Sequence, residues 1–174
     1  MGCEREQQSC HHLAADQAVP GPVQDAETVL VGFCEADLVD GRPLKQAFPN
    51  KRIKDGEFSL ARTDFIDKEF FHRFVVEPRR NSATPIVSVG RASVLALRTL
   101  TTPLDWQKPV KLIRSVCVID RVVKGDHDSH AALEYCEEQQ SLKPGQRDRV
   151  RAAIAADLVK VFSSVLPLDS AFKD

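Results

Sequence analysis

The chain has 174 residues, 24 basic and 25 acidic, for a formal net charge of −1. With 43% apolar and 28% charged residues, it can bury one core without disulfides or a structural metal. Such a composition excludes collagen-like, disulfide-framework and wholly disordered chains, and the balanced charge excludes the broad basic field of a non-specific nucleic-acid binder.

Residues 1–26 carry no periodic apolar pattern and contain Pro20-Gly21-Pro22, so they read as a flexible arm ahead of a single domain over residues 27–174. Met1-Gly2-Cys3 hints at acylation, but Glu6 stands where that pattern requires Ser or Thr. The run Thr28-Val29-Leu30-Val31-Gly32-Phe33-Cys34 is apolar and partly β-branched, the pattern of a buried strand. Asp40-Gly41 and Pro43 turn the chain, and residues 44–48 supply one helical turn. Residues 49–56 read as a polar loop carrying Lys51, Arg52 and Lys54. A second strand follows, in which Phe58, Leu60 and Arg62 alternate with Ser59, Ala61 and Thr63. Asp64 is placed to cap a helix over residues 65–74, with Ile66, Phe70 and Phe74 on one face.

Residues 78–85, with Arg79 and Arg80, read as a loop before a strand at 86–89 and a short helix at 92–100. Trp106 sits in a loop between Pro103 and Pro109. The clearest strand pattern spans residues 110–123, and its apolar residues on both faces around Val116-Cys117-Val118-Ile119 predict a central position in the sheet. Residues 130–137 form its predicted hairpin partner across the polar stretch 124–129. A symmetric loop sets Val118 against Tyr135 and Cys117 against Cys136. Pro144-Gly145 ends the next loop, and a helix is predicted over residues 147–165, stopped by Pro167. Its stripe is Val150, Ile154, Leu158, Val161, Phe162 and Val165. This order predicts an α+β fold: a small mixed or antiparallel sheet with a C-terminal hairpin, covered on one face by helices.

Four groups of residues have chemistry to offer. Asp126, His127, Asp128 and His130 put two carboxylates and two imidazoles in five positions, a donor set suited to one divalent metal and a hydrolytic water; the same residues also suit a solvated turn. Cys3, Cys10, His11 and His12 are zinc-type ligands at a spacing that fits no compact zinc module. Cys117 and Cys136 read as core packing, since Glu134, Glu137 and Glu138 nearby raise a thiol pKa and oppose an activated nucleophile. Basic residues cluster as Lys51, Arg52 and Lys54; Arg79 and Arg80; and Arg147, Arg149 and Arg151, of which Arg147 and Arg151 share a helix face.

No P-loop, G-x-G-x-x-G, G-x-S-x-G or H-E-x-x-H pattern is present in the sequence. The expected function is therefore a non-enzymatic accessory protein, without cofactor. It binds a protein partner or acidic surface through Lys51, Arg52, Lys54, Arg79, Arg80, Trp106, Arg147 and Arg151. The alternative is a metal-dependent hydrolase on Asp126, His127, Asp128 and His130. Nucleic acid is a less favoured partner, because no aromatic residues interleave with the basic clusters. Five cysteines without framework spacing point to the cytoplasm, and no apolar run is long enough to span a membrane.

Overall fold

The computed structural model describes residues 22–120 and 130–172. The four zinc-type residues of the arm, and Asp126, His127 and Asp128, lie outside the described residues. In chain order the elements are β1 (Thr28–Cys34), β2 (Leu38–Val39), β3 (Arg42–Pro43), α1 (Asn50–Lys54), β4 (Phe58–Arg62), α2 (Lys68–Phe71), β5 (Ile86–Ser93) and α3 (Val94–Arg98). They continue with β6 (Thr101–Leu104), β7 (Lys111–Arg114), β8 (Val116–Asp120), β9 (His130–Tyr135), α4 (Pro144–Val161) and β10 (Val165–Pro167). Six strands form one antiparallel sheet in the order β10-β5-β1-β4-β9-β8. The fold is α+β, as the sequence predicts. No helix among the described residues is long and apolar enough to cross a membrane.

The first sheet face carries Val29, Val31, Phe33, Phe58, Leu60 and Leu133, and these pack with Val150, Ile154, Leu158 and Phe162 in the main core. Phe48 organises that core, with ring centroids 6.0 Å from Phe33, 5.8 Å from Phe58 and 5.6 Å from Phe162. Gly90 is required there, since a Cβ at this position would stand 2.5 Å from Cε2 of Phe33. The second face presents Leu30, Ala61 and Val89 to Ile66, Phe71 and Ala171, a smaller core beneath α2 and the turns after it. Val23 also packs into the main core, ahead of Glu27, where the sequence pattern places the start of the fold.

Several predicted elements move. The stretch 49–56 is not simply a loop: α1 forms within it because Ile53 is fully buried and anchors one helical turn. Asp67 rather than Asp64 caps α2, its carboxylate accepting from the Phe70 N–H at 2.7 Å. From there the backbone widens into a π-helical turn, His72–Val76, followed by a 3-10 turn, Glu77–Arg79. Of the predicted stripe, Ile66 is buried and Phe70 partly so, and Phe71, outside that stripe, is the most deeply buried residue of this core's helical side. Asp40 and Gly41 both have positive φ, 50° and 71°, and close the β2–β3 hairpin as the aspartate-glycine pair suggests.

The predicted strand 110–123 is two strands over its described residues, 110–120; residues 121–123 lie outside them. Ser115 breaks it: its N–H donates to Leu100 O at 2.9 Å, its hydroxyl meets that of Thr102 at 2.9 Å, and its carbonyl accepts from Gln139 Nε2 at 2.6 Å. Before Ser115, β7 pairs with β6 in a separate ribbon; after it, β8 joins the main sheet. There β8 is an edge strand, not a central one. It is nevertheless buried throughout, because α3 packs along it and Arg98 donates to the Val118 carbonyl at 3.0 Å. The hairpin register also shifts by two residues, so Val118 faces Leu133 and Cys117 faces Glu134. The parity, and hence the face of each side chain, is kept.

The last helix starts and ends earlier than predicted. Pro144 and Gly145 open it rather than ending a loop, with Pro144 in the first turn, where a missing N–H costs nothing. Pro167 does not stop the helix; it ends the short edge strand β10, a position that tolerates proline.

Candidate functional site

The second sheet face is covered in part only, and beside its core lies a cavity of about 260 Å³. Its floor comes from the sheet: Leu30 and Gly32 of β1, Ser59 and Ala61 of β4, Ile86 of β5 and His130 of β9. Its roof is the helical segment that begins with α2, contributing Phe71, Val75, Pro78 and Arg79. The positions 71, 75 and 79 recur every four residues, which the widened π-helical turn keeps on one side; turns of this kind are frequent at functional sites. Arg52 of α1, with Asp37, Gln46 and Pro49, completes the wall. Gly32 has a structural reason to be small, since a Cβ there would stand 2.6 Å from Ile86 Cδ1, and Ile86 forms part of the wall.

Two cations meet at this cleft. Arg52 is half-buried, its guanidinium 5.8 Å from the Phe58 ring centroid and its Nη2 donating to the Glu57 carbonyl at 3.1 Å. Burial first, and then the like charge of Arg79, lower the pKa of Arg52, while Glu57 and Asp37 act in the opposite sense. Arg79 is exposed at the mouth. Neither guanidinium forms an ion pair among the described residues. Among the described residues of the wall the one carboxylate is already engaged: Asp37 Oδ2 accepts from the Cys34 N–H and from its Sγ, each at 3.0 Å. Burial, reinforced by Asp37, pushes the Cys34 thiol pKa up, so this cysteine is held as the unreactive thiol.

The other residues expected to bind are dispersed. Lys51, Lys54 and Arg80 are exposed and do not line the cleft. Arg147 folds back to donate to the Leu142 carbonyl at 2.9 Å, which fixes the loop before α4. Arg151 lies 4.8 Å over the Tyr135 ring, whose hydroxyl donates to Asn50 Oδ1 at the start of α1. Trp106 is half-buried against the main core, on the other side of the sheet from the cleft, with Arg149 5.8 Å from its ring and paired to Asp105 at 2.6 Å. Of the proposed metal ligands, His130 is described and lines the cleft; among the described residues no group of three or more His, Cys, Asp or Glu is arranged to hold a metal.

Sequence reasoning passed over Asp37, Ser59, Phe71 and Val75. One signal was available: Gly32 interrupts an otherwise apolar strand, and a glycine inside a strand marks a close approach by a neighbour or ligand. Arg62 also gave no warning. It is fully buried and held by Glu27 through two contacts of 2.6 and 2.7 Å, and by Asp120 at 3.3 Å. These partners come from positions 35 residues before and 58 after it. Compared with family models, curated proteins and solved structures, the chain matches none of them.

Proposed function

We propose that this chain is a non-enzymatic binding protein whose partner presents an anionic group to Arg52 and Arg79 at the mouth of the cleft. The observation that carries the reading is the convergence of two guanidiniums, 27 positions apart in sequence, on the wall of one cavity. Each retains donors for an incoming carboxylate or phosphate, and like charges brought together favour an anion between them. An acidic protein surface or a free acid would satisfy the same chemistry. The Trp106 loop is left out of this surface, because its ring caps the main core instead. Free thiols at Cys34, Cys117 and Cys136 are in keeping with a cytoplasmic setting.

Titration of the ¹⁵N-labelled full-length chain with sodium acetate, and separately with a glutamate hexapeptide, tests the reading at fixed ionic strength. With at least one of the two probes, saturable shifts are expected at the amides of residues 51–54 and 78–80, and they should vanish in the Arg52→Gln/Arg79→Gln double variant. Shifts that persist in that variant, or no saturation with either probe, would overturn it. One observation favours a second reading, a metal-dependent hydrolase: His130 lines the same cleft. Stoichiometric zinc, manganese or iron in protein purified without chelator, lost in His130→Ala, would establish that reading in place of the first.

A further inference from the structure

Resting on the anion-binding reading, we infer that the cleft is a small-molecule site for an organic carboxylate with a compact apolar body, the acid at Arg52 and Arg79 and the body under the helical roof. Three features of the cavity lead to this ligand class.

Size comes first. At about 260 Å³ the cavity falls just below the roughly 300–1,000 Å³ of pockets that take drug-sized ligands. It holds about nine water-sized volumes at ~30 Å³ each, enough for a ring and a short side chain but too little for a folded peptide segment.

The second feature is the mixed lining. Leu30, Phe71, Val75 and Ile86 line the cavity together with Arg52 and Arg79. A ligand that matches is itself divided, one end charged and the other not. Simple inorganic anions would leave the apolar wall uncovered, and a hydrocarbon would leave the guanidiniums without an acceptor.

Donor geometry is the third. Arg52 and Arg79 both line the cavity, and the Asp37 carboxylate beside them is engaged by the Cys34 N–H and Sγ at 3.0 Å each. A carboxylate's planar pair of oxygens suits the planar donors of arginine, whereas a phosphate monoester is tetrahedral.

Calorimetric titration of the full-length chain with 3-phenylpropionate tests the inference, with acetate, 3-phenylpropionamide and phenyl phosphate as comparison ligands. One site is expected, at least tenfold tighter for 3-phenylpropionate than for acetate or for the amide. Arg79→Gln, at an exposed position, should weaken it tenfold or more. Ser59→Phe, which fills the cleft from the solvent side of β4, should abolish it while an unchanged circular dichroism melt shows an intact fold. Arg149→Gln, across the sheet beside Trp106, should leave it unchanged. Equal binding of acid and amide, tighter binding of phenyl phosphate, or full binding by Ser59→Phe would each overturn the assignment. If acetate shifts residues 51–54 and 78–80 but the phenyl group adds no affinity, the anion reading stands and this inference fails. If neither acetate, nor the glutamate hexapeptide, nor 3-phenylpropionate binds, both fail.

Discussion

Arg62 carries a full positive charge at a position with no solvent exposure, and two carboxylates from distant parts of the chain surround it. Its guanidinium also lies 4.5 Å over the Phe65 ring, so one face is covered by π-density as well. Removing the cation while Glu27 and Asp120 stay buried leaves two anions without it, and Arg62→Met is expected to cost about 3–5 kcal/mol in urea unfolding. A loss below about 1 kcal/mol would show that water reaches the pair. Tyr135 offers a second test at this scale, because it is the chain's one tyrosine. Burial raises its phenol pKa from 10.0 to about 12, with the Arg151 guanidinium pulling the other way. Absorbance at 295 nm should therefore rise around pH 12 in the folded protein. Between pH 10 and 12 the unfolded chain gives up a proton that the folded chain keeps, so stability should fall as pH rises through that window. A transition centred near pH 10 in protein that is still folded would contradict the burial.

The helices α1 and α2 are short, five and four residues, and each depends on one or two side chains. Within α1, Ile53 is the fully buried member; α2 begins where Asp67 accepts the Phe70 N–H. Asp67→Ala is expected to cost about 1 kcal/mol, measured as a lowered urea midpoint. Such a change should also loosen the roof of the cleft, since α2 leads directly into the π-helical turn. Strand β5 meets a stricter limit at Gly90, where Phe33 and Phe162 occupy the space of a side chain. Gly90→Ala should lose about 1–3 kcal/mol, the range for overpacking a dense core. An unchanged midpoint would mean that the Phe33 ring can turn aside.

Across the whole molecule the sheet separates two unlike halves. Its first face is sealed by α4 around Phe48, a core that spans residues from β1 to the final helix. Its second face has the smaller core of Leu30, Ala61, Ile66, Phe71, Val89 and Ala171, with the cleft beside it. Fewer buried contacts hold the roof than hold α4, so amides of residues 70–79 should exchange with deuterium through local opening. Those of β1 and β4 should exchange by global unfolding, slower by at least tenfold. Equal protection in the two regions would show that the roof opens only when the whole fold does. A bound carboxylate should slow the roof amides selectively, which connects this measurement to the proposed site.

Periodicity and turn chemistry made much of this legible without coordinates. The first strand, the alternation of β4, the Asp40-Gly41 turn and the apolar stripe of α4 are all local patterns, set by side chains a few positions apart. Helix ends were less legible, because Pro144 reads equally well as a loop residue and as the first residue of a helix. What lay beyond the sequence depends on residues far apart in the chain. The break at Ser115 is enforced by Leu100, Thr102 and Gln139, and the burial of edge strand β8 by α3 and Arg98. Arg52 and Arg79 were visible as basic residues in separate clusters, and nothing in their neighbours says that they share a wall. Their meeting follows from the tertiary fold: α1 is anchored in the main core through Ile53 and the helical roof in the smaller core through Phe71, yet Arg52 and Arg79 line one cavity. Local sequence encodes which face of a segment is apolar; the tertiary fold sets which polar residues of different segments end up together.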